Sequence, residues 1–382
     1  MRSKIQQIFD FGWDGYSSSF NPSTTQQKAA YSISACKSGS LGCNISRCED
    51  CGHVGIHNNS CRNRNCPNCQ AILKEVWIDA RKSEVIDPPY FHVVFTVPSE
   101  LNPLIYANQE FLYALLHRCS SETLLELSSD KKYLGAAPGI IQVLHTWGQT
   151  LNYHPHIHCI VTGGGLTKDY RLKTSPARFF IPVKVLGPKF RGKFLAYLDS
   201  YQRQGRLVLP SSCEGLRNPY AWAQYRDGLY KKEWCLYIKE TFNGFGNAIE
   251  YLGRYTHRIA ITNSRIISVS GRKVSFWAKD YRTGKKIIVG ISPDEFIRRL
   301  MMHVLPDGFQ KIRYYGFLNN RNKKKNLSII FHIQGHQKFT SKFTGVAVTE
   351  IMKSVWNYDI SICPCCGKRS MRHAGRTFAL LN

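Results

Sequence analysis

Asn152-Tyr153-His154-Pro155-His156-Ile157-His158-Cys159-Ile160-Val161-Thr162 is the stretch on which the reading of this chain turns. It is apolar and β-rich, and side chains on a strand alternate faces with a period of two. His156 and His158 therefore point one way, while Ile157, Cys159 and Val161 point the other way, into a core. Pro155 has no N–H for a sheet ladder and marks the strand start. Gly163-Gly164-Gly165 is expected to end it. Two imidazoles side by side on one strand face make half of a metal site. Alone, the stretch reads equally well as a strand with two unrelated surface histidines, so the choice rests on the rest of the chain.

Working outward, Tyr90-Phe91-His92-Val93-Val94-Phe95-Thr96-Val97-Pro98 reads as a buried strand and Gly139 to Trp147 as another. Between them, residues 104 to 127 form a helix with Leu104, Phe111, Leu112, Leu115 and Leu116 on its apolar face. Ile72, Leu73, Val76, Trp77 and Ala80 recur at helical spacing between Gln70 and Ser83. Strand, helix, strand, strand suits an antiparallel sheet with helices on one face, an α+β plan. Further on, short strands are expected at Phe179 to Val183, Arg206 to Leu209 and Trp234 to Lys239, with a helix near 189 to 202. Ile259 to Ser270, Arg272 to Ala278 and Lys285 to Gly290 read as a β-meander. Ser292-Pro293-Asp294-Glu295 opens a helix after it.

The 382 residues carry 52 Lys and Arg against 26 Asp and Glu, a net charge of +26, spread along the chain. Such a chain divides into two or three domains and selects a polyanionic partner, nucleic acid before membrane. No apolar run is long enough to span a bilayer. The polar N-terminus, Met1 to Gln7, lacks a signal-peptide core, so a cytoplasmic, nucleoid-associated location is expected rather than secretion.

Seven of the fourteen cysteines fall between Cys36 and Cys69. Cys48-Glu49-Asp50-Cys51-Gly52 and Cys66-Pro67-Asn68-Cys69 are two knuckle-like turns. Thiolates two residues apart can chelate one Zn²⁺, and two pairs complete a tetrahedral structural site. The reading is one zinc at Cys48, Cys51, Cys66 and Cys69. Redox Cys-x-x-Cys pairs would need a thioredoxin-like βαβ context that is missing. Arg62 and Arg64 stand between the knuckles, where they can reach phosphate or simply be solvated. Cys363-Pro364-Cys365-Cys366-Gly367 in the tail is a lone half knuckle without an assigned partner.

In Asn247 to Arg258, Tyr251 and Tyr255 lie four apart and share one face of a helix, with Arg254 and Arg258 beside them. Seen alone, such a pair is more often packing than chemistry. Gln310 to Lys325 interleaves basic and aromatic residues, among them Arg313 and Lys323; cations for phosphates with rings for bases is the composition of a single-strand binder. An exposed basic loop is the competing reading.

Taken together, the His-x-His strand, the tyrosine pair and the strand ending Phe95-Thr96-Val97-Pro98 resemble the HUH endonucleases, where U is a hydrophobic residue. Val143-Leu144-His145-Thr146-Trp147-Gly148-Gln149, Tyr153 to Cys159, Gly163-Gly164-Gly165-Leu166, Tyr251-Leu252-Gly253-Arg254-Tyr255, Arg313 to Leu318 and Ser60 to Gln70 resemble the insertion-sequence-91 (IS91) family of rolling-circle transposases, over about Cys36 to Gly367. The resemblance implies an antiparallel HUH-type sheet with helices on its face, plus a small N-terminal zinc-binding domain. Expected boundaries are 1–80 for the zinc- and DNA-binding domain, 85–300 for the endonuclease and 301–382 for a basic region with the half knuckle.

The implied activity is cutting and rejoining single-stranded DNA, the ends of a mobile element and its target, through a 5′-phosphotyrosine on Tyr251 or Tyr255. A divalent ion on His156 and His158 would face the phosphate, Mn²⁺ suiting two imidazoles somewhat better than Mg²⁺. His145 is the first candidate for a third ligand and His154 the second. A plasmid-type replication initiator or relaxase shares this chemistry, and a non-catalytic zinc DNA-binding protein is the reading from another class. One departure stands out. A second Cys/His set of the family would place histidines at Asn44 and Asn65, beside Cys36 and Cys61; Asn is a poor zinc ligand, so one zinc is expected in this block.

Overall fold

The computed structural model describes residues 2–87, 89–175, 181–240, 253, 260–280, 283–335 and 340–378. Two helices open the chain, α1 (Lys4–Phe20) and α2 (Thr24–Ala35). Ser23 starts α2 with a capping box: its hydroxyl accepts from Gln26 N–H and the Gln26 side chain returns to the Ser23 backbone. A hairpin, β1 (Cys43–Cys48) and β2 (Val54–Asn58), leads to α3 (Ala71–Lys82) and then β3 (Tyr90–Thr96). The helix expected over 104 to 127 is two, α4 (Asn102–Ala107) and α5 (Gln109–Ser129), broken at Asn108. The Asn108 amide donates to the Leu104 carbonyl and accepts from Val208 N–H, which fixes the break.

β4 (Ala137–Trp147) and β5 (Tyr153–Leu166) follow; β5 runs through the three glycines rather than stopping at them. Gly163 and Gly165 have no side chain because one would meet Pro89 and Phe91, or the Ala137 carbonyl, so the run permits close packing inside the sheet. After β6 (Leu172–Thr174), α6 (Val183–Arg203) and α7 (Pro219–Lys231) lead to β7 (Leu236–Glu240). Residues 206 to 209 form no strand, and part of the expected 179–183 strand lies outside the described residues. The meander is present as β8 (Ile266–Val269), β9 (Val274–Lys279) and β10 (Lys286–Ile291). Ser292 caps α8 (Pro293–Met301), with proline in the first turn. The chain ends through β11 (Ile312–Tyr315), α9 (Lys323–Gln334), α10 (Val348–Trp356) and β12 (Met371–Thr377).

The central sheet is antiparallel, in the order β11-β4-β5-β3-β7, with β6 paired to the far end of β5. One face carries Val93, Phe95, Ile140, Leu144, Ile157, Cys159 and Val161 into a core closed by α4 to α7. The other carries Tyr90, Ile141, Val143 and Ile160 against Phe317, Leu318 and the α9 residues Leu327, Ile330 and Phe331. Trp77 of α3 packs at that second core, and its indole N–H donates to the Tyr314 hydroxyl at 3.2 Å. A third core joins α1 and α2 to the meander and α8. Gly12 allows that joint, since a Cβ there would fall 2.6 Å from the Pro293 backbone.

Strand pairing crosses the boundaries expected from sequence. β11 forms an edge of the central sheet, whereas β12 leaves it and pairs with β1 beside β2. The segment beyond residue 300 is thus divided between the two sheets.

His303, after α8, holds the β4–β5 turn. One ring nitrogen lies 3.1 Å from the Leu151 carbonyl and the other 3.2 Å from the Thr146 hydroxyl. Burial pushes its pKa down to about 4, against about 6.5 for an unfolded histidine. The unfolded chain therefore binds this proton first, and the stability is present above pH 6.5 and lost as pH falls through 4. The melting temperature should fall over that window, and His303→Gln should flatten the fall. A variant curve parallel to the wild type would show that His303 does not titrate on unfolding.

Candidate metal centres

Strand register assembles the histidine group. His145 on β4 is paired with His156 on β5, and Val143 with His158, so the three imidazoles share one face. Their nitrogens lie within 4.8 Å of one another. The Nε2 atoms of His156 and His158 are 3.0 Å apart, the edge between adjacent positions of an octahedron with bonds of about 2.1 Å. His154, the other candidate, stands outside this group; its carbonyl lies 2.6 Å from His156 Nδ1. That contact assigns the Nδ1 proton to His156 and leaves Nε2 with a lone pair. Burial pushes the His156 pKa down to about 3, so the ring is neutral at physiological pH, the form a metal ligand needs. Trp147 stacks on His145 with centroids 4.5 Å apart and forms one wall.

His92 was missing from the sequence reading as a member of this site. It lies on β3 with its Nε2 2.8 Å from His158 Nδ1, the two rings nearly parallel. For His158 Nε2 to offer a lone pair, Nδ1 must carry the proton and donate it to His92. A two-residue step from Val94, which pairs with His158, puts His92 on this face; that parity was the available signal.

The cysteines are regrouped. The structure does not bring Cys48, Cys51, Cys66 and Cys69 together. Cys66 and Cys69 converge with Cys36 and Cys61, and Cys48 and Cys51 with Cys363 and Cys366. The reason is packing. Cys36 ends α2 and Cys66 precedes α3 within the α1–α2 core, whereas the β1–β2 turn projects toward the end of the chain. Cys61 Sγ and Cys69 Sγ are 3.7 Å apart, against about 3.8 Å for the edge of a ZnS₄ tetrahedron with 2.3 Å bonds. Asn63 N–H and Asn68 N–H each donate to a sulfur two residues back, at 3.4 Å. Hydrogen bonds from Cys61 and Cys66 pull the Cys69 pKa down, at the cost of a raised Cys66 thiol. Four cysteines complete this set without a histidine, so Asn65 has no ligand role to fill.

The cations divide as well. Arg62 is exposed, in a left-handed conformation. Arg64 donates instead to the carbonyls of Phe309 and Pro306 at 2.6 and 2.7 Å, tying the cysteine block to the chain after α8. Lys323 is ion-paired with Glu84 at 2.5 Å, and Arg313 lies over the Phe309 ring. Tyr251, Arg254, Tyr255 and Arg258 lie outside the described residues. Gly253, between the two tyrosines in sequence, is described: it is buried, and a Cβ on it would fall 2.3 Å from Ile78 Cγ1 of α3.

The comparisons with known proteins identify the chain that carries these groups as a transposase with a zinc-binding domain. Residues 139–326 match the family described as "Putative transposase", and residues 8–97 match "Transposase zinc-binding domain". The chain is 42% identical over 309 residues to a protein described as "Putative transposase y4qJ" from Sinorhizobium fredii (strain NBRC 101917 / NGR234), covering 80% of this chain and 77% of that one. It is 30% identical over 294 residues to the transposase for insertion sequence element IS801 of Pseudomonas savastanoi pv. phaseolicola, covering 75% and 68%. No solved structure matches. The chain belongs to the IS91 family of transposases. No helix among the described residues is long and apolar enough to cross a membrane.

His92→Ala should weaken Mn²⁺ binding by about 10- to 100-fold, the usual cost of losing a partner that orients a ligand. His92→Gln, which keeps an acceptor, should recover much of it. Mn²⁺ titration followed by electron paramagnetic resonance checks this; unchanged affinity in the alanine variant would remove His92 from the site.

Proposed function

We propose that this transposase cuts and rejoins single-stranded DNA through a 5′-phosphotyrosine, with Tyr251 and Tyr255 as nucleophiles and His145, His156 and His158 as ligands of Mg²⁺ or Mn²⁺. The observation that carries the reading is the convergence of three buried imidazoles on the sheet face against which Trp77 of α3 packs. Gly253, two residues from each tyrosine, is buried against Ile78 of that same helix. Gly253 is thereby held against the helix whose Trp77 packs on the histidine-bearing face.

The bound ion supplies positive charge to the scissile phosphate. A tyrosine Oη attacks phosphorus, the P–O3′ bond breaks, and the departing oxygen takes a proton to become a free 3′-OH. Attack by a 3′-OH on the phosphotyrosine reverses the step and reseals a strand, so no external energy source is needed. A phenol titrates near 10, and Arg254 or Arg258 can favour its ionised form. Two tyrosines allow one DNA end to be held while a second strand is cut. His92 keeps the His158 lone pair directed into the site. Arg62 and Arg313 are the candidate phosphate contacts, while Arg64 and Lys323 are already engaged by carbonyls and a carboxylate. Cys36, Cys61, Cys66 and Cys69 would hold zinc, which would fix the start of α3 and through it Ile78.

Tyr251→Phe and Tyr255→Phe should each reduce, and together abolish, the covalent adduct with a single-stranded oligonucleotide carrying an element end. His156→Ala should block the adduct while the fold persists. A double phenylalanine variant that still forms the adduct would exclude these nucleophiles; a folded wild type that binds DNA and forms no adduct with Mg²⁺ or Mn²⁺ would favour a non-catalytic binding protein.

The Gly253 contact gives a separate check. Gly253→Ala should lower adduct yield by at least tenfold, because its methyl collides with Ile78. Adding Ile78→Ala should restore part of that yield by removing the obstructing atoms. Full activity in Gly253→Ala would show that the segment does not depend on α3.

A further inference from the structure

We propose that Cys48, Cys51, Cys363 and Cys366 hold a second structural zinc, which closes the two ends of the chain into one zinc ribbon. The matched zinc-binding family region stops at residue 97, so half of this ligand set lies outside it. Cys48 and Cys366 are 318 residues apart in sequence, yet their sulfurs are 3.7 Å apart; those of Cys51 and Cys363 are 3.6 Å apart. Both distances lie close to the edge of about 3.8 Å in a ZnS₄ tetrahedron.

Two knuckles of the same construction meet here. In the first, Gly52 N–H donates to the Cys48 carbonyl at 3.0 Å, and Cys48 N–H to the His53 carbonyl at 2.8 Å. In the second, Gly367 N–H donates to the Cys363 carbonyl at 2.9 Å, and Cys363 N–H to the Lys368 carbonyl at 2.8 Å. Each knuckle ends on a glycine in the left-handed region, φ 72° at Gly52 and 73° at Gly367, where a side chain would be strained. The repeated Cys-x-x-Cys-Gly pattern thus builds one turn twice, and the turns face each other with their sulfurs inward.

The sheet beneath them needs such a link. β12 pairs with β1 from Cys43↔Thr377 to Cys48↔Met371, and β1 with β2. The buried apolar cluster under the knuckles consists of Cys48, Cys363 and Met371. Three side chains cannot stabilise a three-stranded sheet alone, and units without a core are held by metals or cross-links. Crossing ion pairs, Lys368–Asp50 at 3.1 Å and Arg372–Glu49 at 3.4 Å, are exposed and contribute little. The four thiolates of a zinc site would contribute far more, and across a separation of 318 residues between Cys48 and Cys366.

Cys365 supplies an internal control, being exposed and outside the group. The test is native mass spectrometry of the full-length protein combined with iodoacetamide footprinting. The wild type should carry two zinc ions, with Cys363 and Cys366 protected and Cys365 alkylated. Cys363→Ser with Cys366→Ser should leave one zinc and render Cys48 and Cys51 as reactive as Cys365, while Cys36, Cys61, Cys66 and Cys69 stay protected. Should that variant aggregate, stepwise chelation of the wild type decides: Cys48, Cys51, Cys363 and Cys366 must become reactive as one set. A single zinc in the wild type, Cys48 and Cys51 still protected in the variant, or Cys363 and Cys366 as reactive as Cys365 in untreated protein would each overturn the proposal.

Discussion

Burial of both faces of the central sheet is the constraint on which the rest of the structure depends. Ile157, Cys159 and Val161 are enclosed by helices on one side, and strand alternation sends His156 and His158 to the other. That second face is closed too, by α9, the Phe317 turn and Trp77. An imidazolium there would be a charge removed from water, and burial accordingly lowers the His156 pKa. A neutral ring with a fixed tautomer is what a divalent ion would need, so the same burial that stabilises the sheet suits the proposed metal site. The backbone carbonyl at His154 and the ring of His92 then set which nitrogen carries each proton.

Local chemistry was legible in the sequence wherever one element decides the outcome. Alternation predicted β5, the apolar run Tyr90 to Pro98 predicted β3, the Ser-Pro-Asp-Glu start predicted α8, and short strands between Gly, Lys and Arg turns marked the meander. The Cys-x-x-Cys turns were read as turns of the right kind. Their partners were not, because a knuckle does not encode which other knuckle it faces. That choice is made by the pairing of β1 with β12 and by the packing of Cys36 and Cys66 into the α1–α2 core. His145 could be placed beside His156 because a short hairpin joins their strands. His92 had the right parity on β3, but the pairing of β3 with β5, across the intervening α4, α5 and β4, was not legible. Arg64 illustrates a different limit: a cation in a basic stretch looks available for phosphate until its carbonyl partners, remote in sequence, are known.

The helix α3 links these separate decisions into one arrangement. Its N-terminal end follows Cys69, so the first cysteine group fixes where it starts. Arg81 donates to the Tyr314 hydroxyl at 2.7 Å and pairs with Glu84, which also takes Lys323, binding the helix to the β11 edge. Asp79, buried, accepts from the Ser341 hydroxyl at 2.7 Å and from Phe343 N–H at 2.9 Å, which ties in the segment leading to the tail. Ile78 meets Gly253 on the remaining side. A rigid element held at so many points would, on the proposed function, fix the position of Gly253 relative to the histidine face, where misplacement by about 1 Å is costly.

Zinc at the two cysteine groups, as proposed above, would resolve a conflict that a larger core would create. A surface that must meet a polyanion carries many cations, here a net charge of +26 over the whole chain, and their mutual repulsion opposes compaction. Additional apolar area would require burying the side chains that face the nucleic acid. Thiolate sites avoid that conflict: each fixes four backbone points within a few ångströms and consumes almost no surface. In the β12-β1-β2 sheet the apolar contribution has shrunk to Cys48, Cys363 and Met371, two of which are themselves sulfur ligands in the arrangement argued above. On that proposal, stability at that end of the molecule would be set by thiolate chemistry rather than by apolar area.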